Sequence, residues 1–337
     1  MGACNGGACT VNYQARTHGG PDAQGAVLYD FSTNSNGCGA CPSALDAVQQ
    51  ADATRYPDPA YTALRSALAN FYAVAPWRIV LAGSASEFIF RITSYAHSLG
   101  AKSASIPLHA YGDYAQAAHA LELQLVPEAT PAQLVWLCEP SSPLGHSYLN
   151  MALTPNATVV LDGAYQPMRL SGQSGISPAD RQQVWQLYSP NKALGLTGVR
   201  AAFAIAPLNA QAGAAQLQAM APSWLVGAHG VALLHAWTQP QTQHWLVQCL
   251  AILQQWKQSQ ITGLEALGWT VQPSDTPFFA AQPPAHVHAA LLCSHLRSHG
   301  IQLRDATSFG LAGWFRLGVL GPQAQSALFT ALAKACI

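Results

Sequence analysis

The sequence predicts an α/β protein: a mostly parallel central sheet, covered by helices, forms a large domain, and a smaller α+β domain follows toward the C-terminus. Three observations lead there. Short apolar runs alternate with helical stretches up to about residue 206, the pattern of buried strands in a sheet covered on both faces. From about residue 223 long helical stretches dominate, with few strand-like runs between them. The chain has 337 residues, half of them hydrophobic, which is enough for a large core. The expected division is an arm at 1–35, a large domain at 36–222 and a small domain at 223–337.

Residues 1–35 are rich in Gly, Asn and Thr and read as an arm or loop. Helices are expected over 43–51 and 60–72. Between them Tyr56-Pro57-Asp58-Pro59 reads as a turn, because a proline pushes the residue before it out of the helical region. An apolar run at 78–82 leads into Gly83-Ser84-Ala85-Ser86-Glu87, whose small and hydroxyl residues suit the start of a helix. Further strands are expected at 103–107, 123–126, 134–138, 158–161, 184–188 and 201–206. The C-terminal part should hold long helical stretches within 232–267, a strand at 269–271, a helix near 285–299 and a strand at 313–320. There is no internal repeat and no low-complexity segment.

Only 9% of residues are charged and the formal net charge is zero. No basic stripe suggests nucleic acid, and no block of like charge suggests a solvated tail. No run of eighteen apolar residues suggests a membrane span. The first twenty residues lack a basic region followed by an apolar one, so a secretory signal is not expected and the cytoplasm is the expected location.

The chemistry concentrates in Tyr188-Ser189-Pro190-Asn191-Lys192-Ala193-Leu194-Gly195-Leu196-Thr197-Gly198-Val199-Arg200. Lys192 is one of four lysines in the chain. Ser189 lies three residues before it and Arg200 eight after. A lysine that carries pyridoxal 5'-phosphate (PLP) needs this set: an amine for the aldehyde, with a hydroxyl and a guanidinium for the phosphate. The phosphate also needs N–H donors at a helix N-terminus, which Ser84 and Ala85 can offer. The pyridine nitrogen needs a carboxylate. Asp162 ends an apolar strand in Asp162-Gly163-Ala164-Tyr165. A substrate carboxylate suits a bidentate guanidinium, and Arg316 stands in an apolar strand where an unpaired charge would be costly; Arg304 is a second anion candidate.

These motifs resemble those of the fold-type I PLP enzymes, the aspartate aminotransferase superfamily. The resemblance implies that Tyr165 bonds the ring 3'-oxygen, that Tyr111 stacks on the ring, and that Tyr56 reaches the phosphate of a neighbouring subunit in a homodimer. One motif departs from the pattern. The superfamily's Asn-Pro-x-Asn-Pro-x-Gly reads Glu139-Pro140-Ser141-Ser142-Pro143-Leu144-Gly145 here, so Ser142 stands where an Asn would bond the 3'-oxygen. Within the superfamily, Thr17-His18-Gly19-Gly20, Asp30-Phe31-Ser32-Thr33-Asn34, Arg55-Tyr56-Pro57-Asp58-Pro59 and Leu64-Arg65 resemble the threonine-phosphate decarboxylases of cobalamin biosynthesis, relatives of histidinol-phosphate aminotransferase. That branch implies a small phosphorylated amino acid, with His18, Gly19, Asn34, Arg304 and Arg316 toward the substrate. The expected reaction is decarboxylation of L-threonine O-3-phosphate to an aminopropanol phosphate. The alternatives are a histidinol-phosphate-like aminotransferase, another PLP enzyme acting on a different amino acid, and a non-catalytic or regulatory protein of the same fold.

Eight cysteines are many for such a chain, and Cys38-Gly39-Ala40-Cys41 is a C-x-x-C. Two thiolates at that spacing can share a metal ion. Cys4 and Cys9 do not form a second such pair and no histidine pair completes a set, so reduced cysteines are the preferred reading and no metal is expected. Cys138, Cys249, Cys293 and Cys336 read as small buried hydrophobes.

Overall fold

In the computed structural model, residues 18–128, 130–148 and 153–334 are described. Thr17, Cys4, Cys9 and Cys336 lie outside them.

Alternation along the strands builds the larger part. In Ile79–Ala82, Ile79 and Leu81 join one core and Val80 and Ala82 the other; in Ala202–Ile205, Phe203 and Ile205 part in the same way from Ala202 and Ala204. Both strands are buried along their whole length, so both faces must be covered. The helices Pro42–Gln49, Thr62–Phe71 and Ala228–Trp237 cover one face, and Ala85–Ser98, Gly112–Ala120 and Gln211–Ala219 the other. Each fully buried Phe or Leu of these layers contributes about 2 kcal/mol; truncating Phe203 to Ala would cost about 4 kcal/mol, cavity included.

The sheet has seven strands, in the order Ile79–Ala82, Ala202–Ile205, Trp185–Tyr188, Thr158–Asp162, Leu134–Cys138, Ser103–Ser105, Gln124–Val126. All neighbours pair in parallel except that Ala202–Ile205 runs antiparallel to both of its partners. The mostly parallel sheet expected from the sequence is thus present, and each expected strand of this part appears. Open α/β sheets bind ligands beyond the carboxyl ends of their strands. Asp162 ends one such strand, and the lysine segment follows another.

The C-terminal part has a four-stranded antiparallel sheet in the order Arg304–Asp305, Phe315–Gly318, Phe278–Gln282, Thr270–Val271. Its apolar face packs on the 27-residue helix Pro240–Ala266 and on Ala289–Ser298. The helical stretches expected within 232–267 are two helices. The first ends at Trp237, and Pro240 starts the second, where its missing N–H costs nothing. Phe278–Gln282, central in this sheet, was not foreseen.

The N-terminal arm does not hang free where it is described. Tyr29–Asp30 pairs in parallel with Ile301–Gln302, Asp22 forms a 2.9 Å ion pair with Arg297, and the Gln302 side chain donates to the Gly20 carbonyl at 3.0 Å. Among the described residues, no helix is long and apolar enough to cross a membrane.

Candidate active site

The lysine segment is a series of turns after the strand Trp185–Tyr188. It is clamped by the loop holding the C-x-x-C. Asn36 N–H donates to the Lys192 carbonyl at 2.9 Å, its side chain donates to Ala193 O at 2.9 Å, and Cys41 N–H donates to Leu194 O at 2.9 Å. Gly195 has φ +65°, and a Cβ there would sit 2.1 Å from Gly39 O. Only glycine fits both the left-handed turn and the close approach. These contacts give the C-x-x-C loop a backbone role. Burial, with Cys249 nearby, pushes the Cys38 thiol up to about 12, against the thiolate that a metal needs. Among the described residues no three His, Cys, Asp or Glu side chains converge as metal ligands. Cys138 and Cys249 are buried as expected, whereas Cys293 is only partly buried.

The Lys192 amine lies 5.4 Å from the centre of the Tyr165 ring and makes no hydrogen bond to a described residue. Asn34 donates to the Tyr165 hydroxyl at 3.3 Å, while its own buried Oδ1 has no partner among the described residues. Asp162 is buried and gripped on both oxygens. Tyr114 O–H donates to Oδ2 at 2.6 Å, and Ala164 N–H donates to Oδ1 at 2.9 Å. Tyr114 stacks on Trp136 with centroids 4.5 Å apart. Burial, reinforced by the Asp162 charge, holds the Tyr114 hydroxyl well above its usual range, so it stays a donor. Sequence reasoning missed Tyr114, although it stands three residues after Tyr111, which immediately precedes the helix Gly112–Ala120.

Ser84 caps the helix Ala85–Ser98: its hydroxyl accepts from Glu87 N–H at 3.0 Å, and the Glu87 carboxylate accepts from Gly83 N–H at 3.1 Å. Ser86 and Tyr111 share a hydroxyl–hydroxyl bond of 3.1 Å, and the His18 ring lies 6.0 Å from that of Tyr111. Burial raises the Tyr111 hydroxyl above its usual range. The backbone of the arm presses on the next segment. A Cβ on Gly19 would sit 2.0 Å from Ser32 O, and Gly20 N–H donates to Ser32 Oγ at 2.8 Å. Ser32 O in turn accepts from Arg316 Nη2 at 2.7 Å.

Arg316 and Arg304 are buried, directly opposed across two antiparallel strands. Phe309 lies under both guanidiniums, 4.9 Å from that of Arg304 and 5.6 Å from that of Arg316. Burial lowers both: Arg304, with Arg316 beside it, falls to about 10. Arg316 Nε is buried with no hydrogen-bond partner among the described residues. Two opposed buried cations, one with an N–H that has no partner among the described residues, are suited to an anion.

Three expected residues stand apart. Ser189 directs its hydroxyl to Asn191 Oδ1 at 2.8 Å. Arg200 is exposed and forms no ion pair with a described residue. Tyr56 is 76% exposed and stacks on Trp224, 4.2 Å between centroids. Ser142 is buried in the proline-rich turn, next to the strand that pairs with Asp162. The other departure in that turn has a structural account. Glu139 is buried, accepts from Ser174 O–H at 2.7 Å and Gly175 N–H at 2.6 Å, and lies 3.5 Å from Arg169, so it braces the 169–175 segment with its charge matched.

The family model described as aminotransferase class I and II matches residues 88–329. The chain belongs to this family. These are fold-type I, PLP-dependent enzymes. A histidinol-phosphate aminotransferase of Jannaschia sp. (strain CCS1) is 25% identical over 334 residues, covering 90% of this chain and 89% of the relative. The fold matches a histidinol-phosphate aminotransferase from Sinorhizobium meliloti, solved with pyridoxal-5'-phosphate, at TM-score 0.78 and 22% identity, covering 92% of this chain and 91% of that one. It also matches L-threonine-O-3-phosphate decarboxylase from Porphyromonas gingivalis at TM-score 0.74 and 22% identity, covering 91% and 98%. The aspartate aminotransferase-like fold expected from the motifs is therefore the fold of this chain.

Proposed function

We propose that the protein is a PLP-dependent decarboxylase of L-threonine O-3-phosphate. The observation that carries this is the place of His18, beside Tyr111, with the arm bonded through Ser32 to Arg316. That gives the site a second candidate anion contact, separate from the arginines, as an amino acid with its own phosphate would need. The cofactor pocket fits PLP: a lysine amine over the Tyr165 ring with no hydrogen bond to a described residue, a buried carboxylate fixed on both oxygens, and an Asn34 Oδ1 with no partner among the described residues.

Bound there, PLP supplies a ring that accepts the electron pair left when a bond at the substrate α-carbon breaks. Lys192 would hold the cofactor aldehyde and carry the proton of the site. Asp162, itself held by Tyr114, would keep the ring nitrogen protonated. Tyr165, which accepts from Asn34, would serve the ring oxygen, where Ser142 takes the place of the usual Asn. Ser84 and Ala85 would bind the cofactor phosphate, joined by Ser189 and Arg200 only if they turn from the positions seen here, and Tyr111 would cover the ring. Arg316 takes the substrate carboxylate, with Arg304 beside it; His18 and Gly19 take the phosphate. The exposed Tyr56 serves the cofactor phosphate of a second copy in a homodimer, and a monomer in sedimentation of the loaded protein would remove that role.

The second reading is transamination of histidinol phosphate or a related substrate. It is favoured by the similarity to histidinol-phosphate aminotransferases along nearly the whole chain. One assay divides the two. Loaded protein is given L-threonine O-3-phosphate without any keto acid, and carbon dioxide is measured; release supports decarboxylation. No release, with turnover of L-histidinol phosphate that requires 2-oxoglutarate, reverses the assignment.

A further inference from the structure

One side chain ties the two sheets together at the site without belonging to either anion contact. His109 lies between the strand Ser103–Ser105 and the helix Gly112–Ala120, on the side of the central sheet. Its Nδ1 is 2.7 Å from the carbonyl oxygen of Phe309, on the C-terminal side and 200 residues further along the chain. A carbonyl only accepts, so Nδ1 carries the proton whether the ring is neutral or charged. The ring also lies against the next residue: a Cβ on Gly310 would be 3.5 Å from Nδ1.

Phe309 is the residue under both guanidiniums, and its neighbour Ser308 accepts from Arg304 Nη2 at 2.7 Å. These residues form a single helical turn, Thr307–Phe309, with Thr307 and Ser308 exposed. A turn that short has little internal stiffness. Its position depends on what holds it from outside. Two residues after His109, Tyr111 bonds Ser86 in the first turn of the helix Ala85–Ser98. A continuous path therefore runs from the helix at the cofactor end, through Tyr111 and His109, to Phe309 and the arginine pair.

We propose that His109 is a positioning residue: its hydrogen bond to the Phe309 carbonyl sets where Arg304 and Arg316 stand relative to the cofactor, and through them the affinity for an anionic substrate. This rests on the reading of the arginine pair as the substrate's anion site.

The test uses full-length, PLP-loaded protein and whichever of L-threonine O-3-phosphate and L-histidinol phosphate it turns over. His109→Ala should raise KM roughly 5- to 10-fold, the weight of one hydrogen bond, and leave kcat within about 2-fold. His109→Asn, whose amide N–H can reach the same carbonyl, should restore most of the lost affinity. Phe309→Leu should copy the alanine effect. Cofactor affinity of His109→Ala should stay at the wild-type value, and its Tm should fall by no more than a few degrees. An unchanged KM in His109→Ala, or a failure of Asn to restore it, overturns the proposal. Arg316→Lys in the same assay separates the two levels. If it raises KM while His109→Ala does not, the positioning role falls alone; if it leaves KM unchanged, the anion-site reading falls and takes the positioning role with it.

Discussion

At the cofactor end, Asp162 is fixed by Tyr114 and by its own turn, and Ser84 by the helix it caps. At the substrate end, Arg316 leans on Ser32, which lies 284 residues away, and rests on the ring of Phe309, whose backbone carbonyl accepts from His109 in the loop after Ser103–Ser105. The first group is held within the central-sheet half of the chain; the second is assembled from three segments distant in sequence. Residues at the cofactor end do their work when electrons move, so their loss should appear in kcat. Residues at the substrate end bind ground state and transition state alike, so their loss should appear in KM.

That division can be broken or sharpened by experiment. Lys192→Ala should lower turnover by at least about 10⁴-fold, and borohydride should no longer attach the cofactor to the chain. Residual turnover near wild type would remove Lys192 from the catalytic centre. Asp162→Asn should lower kcat roughly 100- to 1000-fold with little change in KM, since a buried charge is lost where charge develops. Arg316→Lys should raise KM about 30-fold, because an ammonium cannot reproduce the two-pronged contact, with a smaller change in kcat. The reverse pattern in these two variants, KM moving at Asp162 and kcat at Arg316, would erase the division. Tyr114→Phe removes one hydrogen bond to a carboxylate and should lower kcat about 10-fold in steady-state assays.

The smallest effect tests the seam between the two halves. The Lys257 amine donates to the Ser274 carbonyl, beside Asp275, whose carboxylate accepts from Ser147 and Ser171. Burial, partly opposed by Asp275, lowers Lys257 from 10.5 to about 8. Between those values the unfolded chain binds more protons than the folded one, so the contribution of Lys257 to stability rises with pH; below about pH 8 the cost of burying the charge is fully present. The Tm of wild type relative to Lys257→Met should therefore climb from pH 8 to pH 10. A flat difference would show that the amine is not desolvated.

The same contrast explains what could be read from the sequence. Asp162 and Ala164 are two residues apart and Ser84 and Glu87 three, so those bonds follow from strand-end and helix-start patterns. His109 and Phe309 share no local pattern; neither residue type nor spacing announces a bond across 200 positions. The fold divides likewise. Fully buried strands such as Ile79–Ala82, Leu134–Cys138 and Ala202–Ile205 were visible as apolar runs, because burial on both faces leaves no polar alternation to blur them. Phe278–Gln282 was hidden by its two alanines and by the prolines near both ends. Glu139 was visible as a departure from the usual motif, but its reason, the charge of Arg169 and the donors at Ser174 and Gly175, needed the fold.

The arm has a mechanical consequence. From Asp22 to Phe31 it is bonded to Arg297, Gln302 and Gly318, all of the C-terminal part. His18 is thus tethered to the same body as the two arginines, though it lies beside Tyr111 of the other. If the halves swing apart, His18 and the two arginines travel together, so the arm and the arginine pair leave the central-sheet side in one movement.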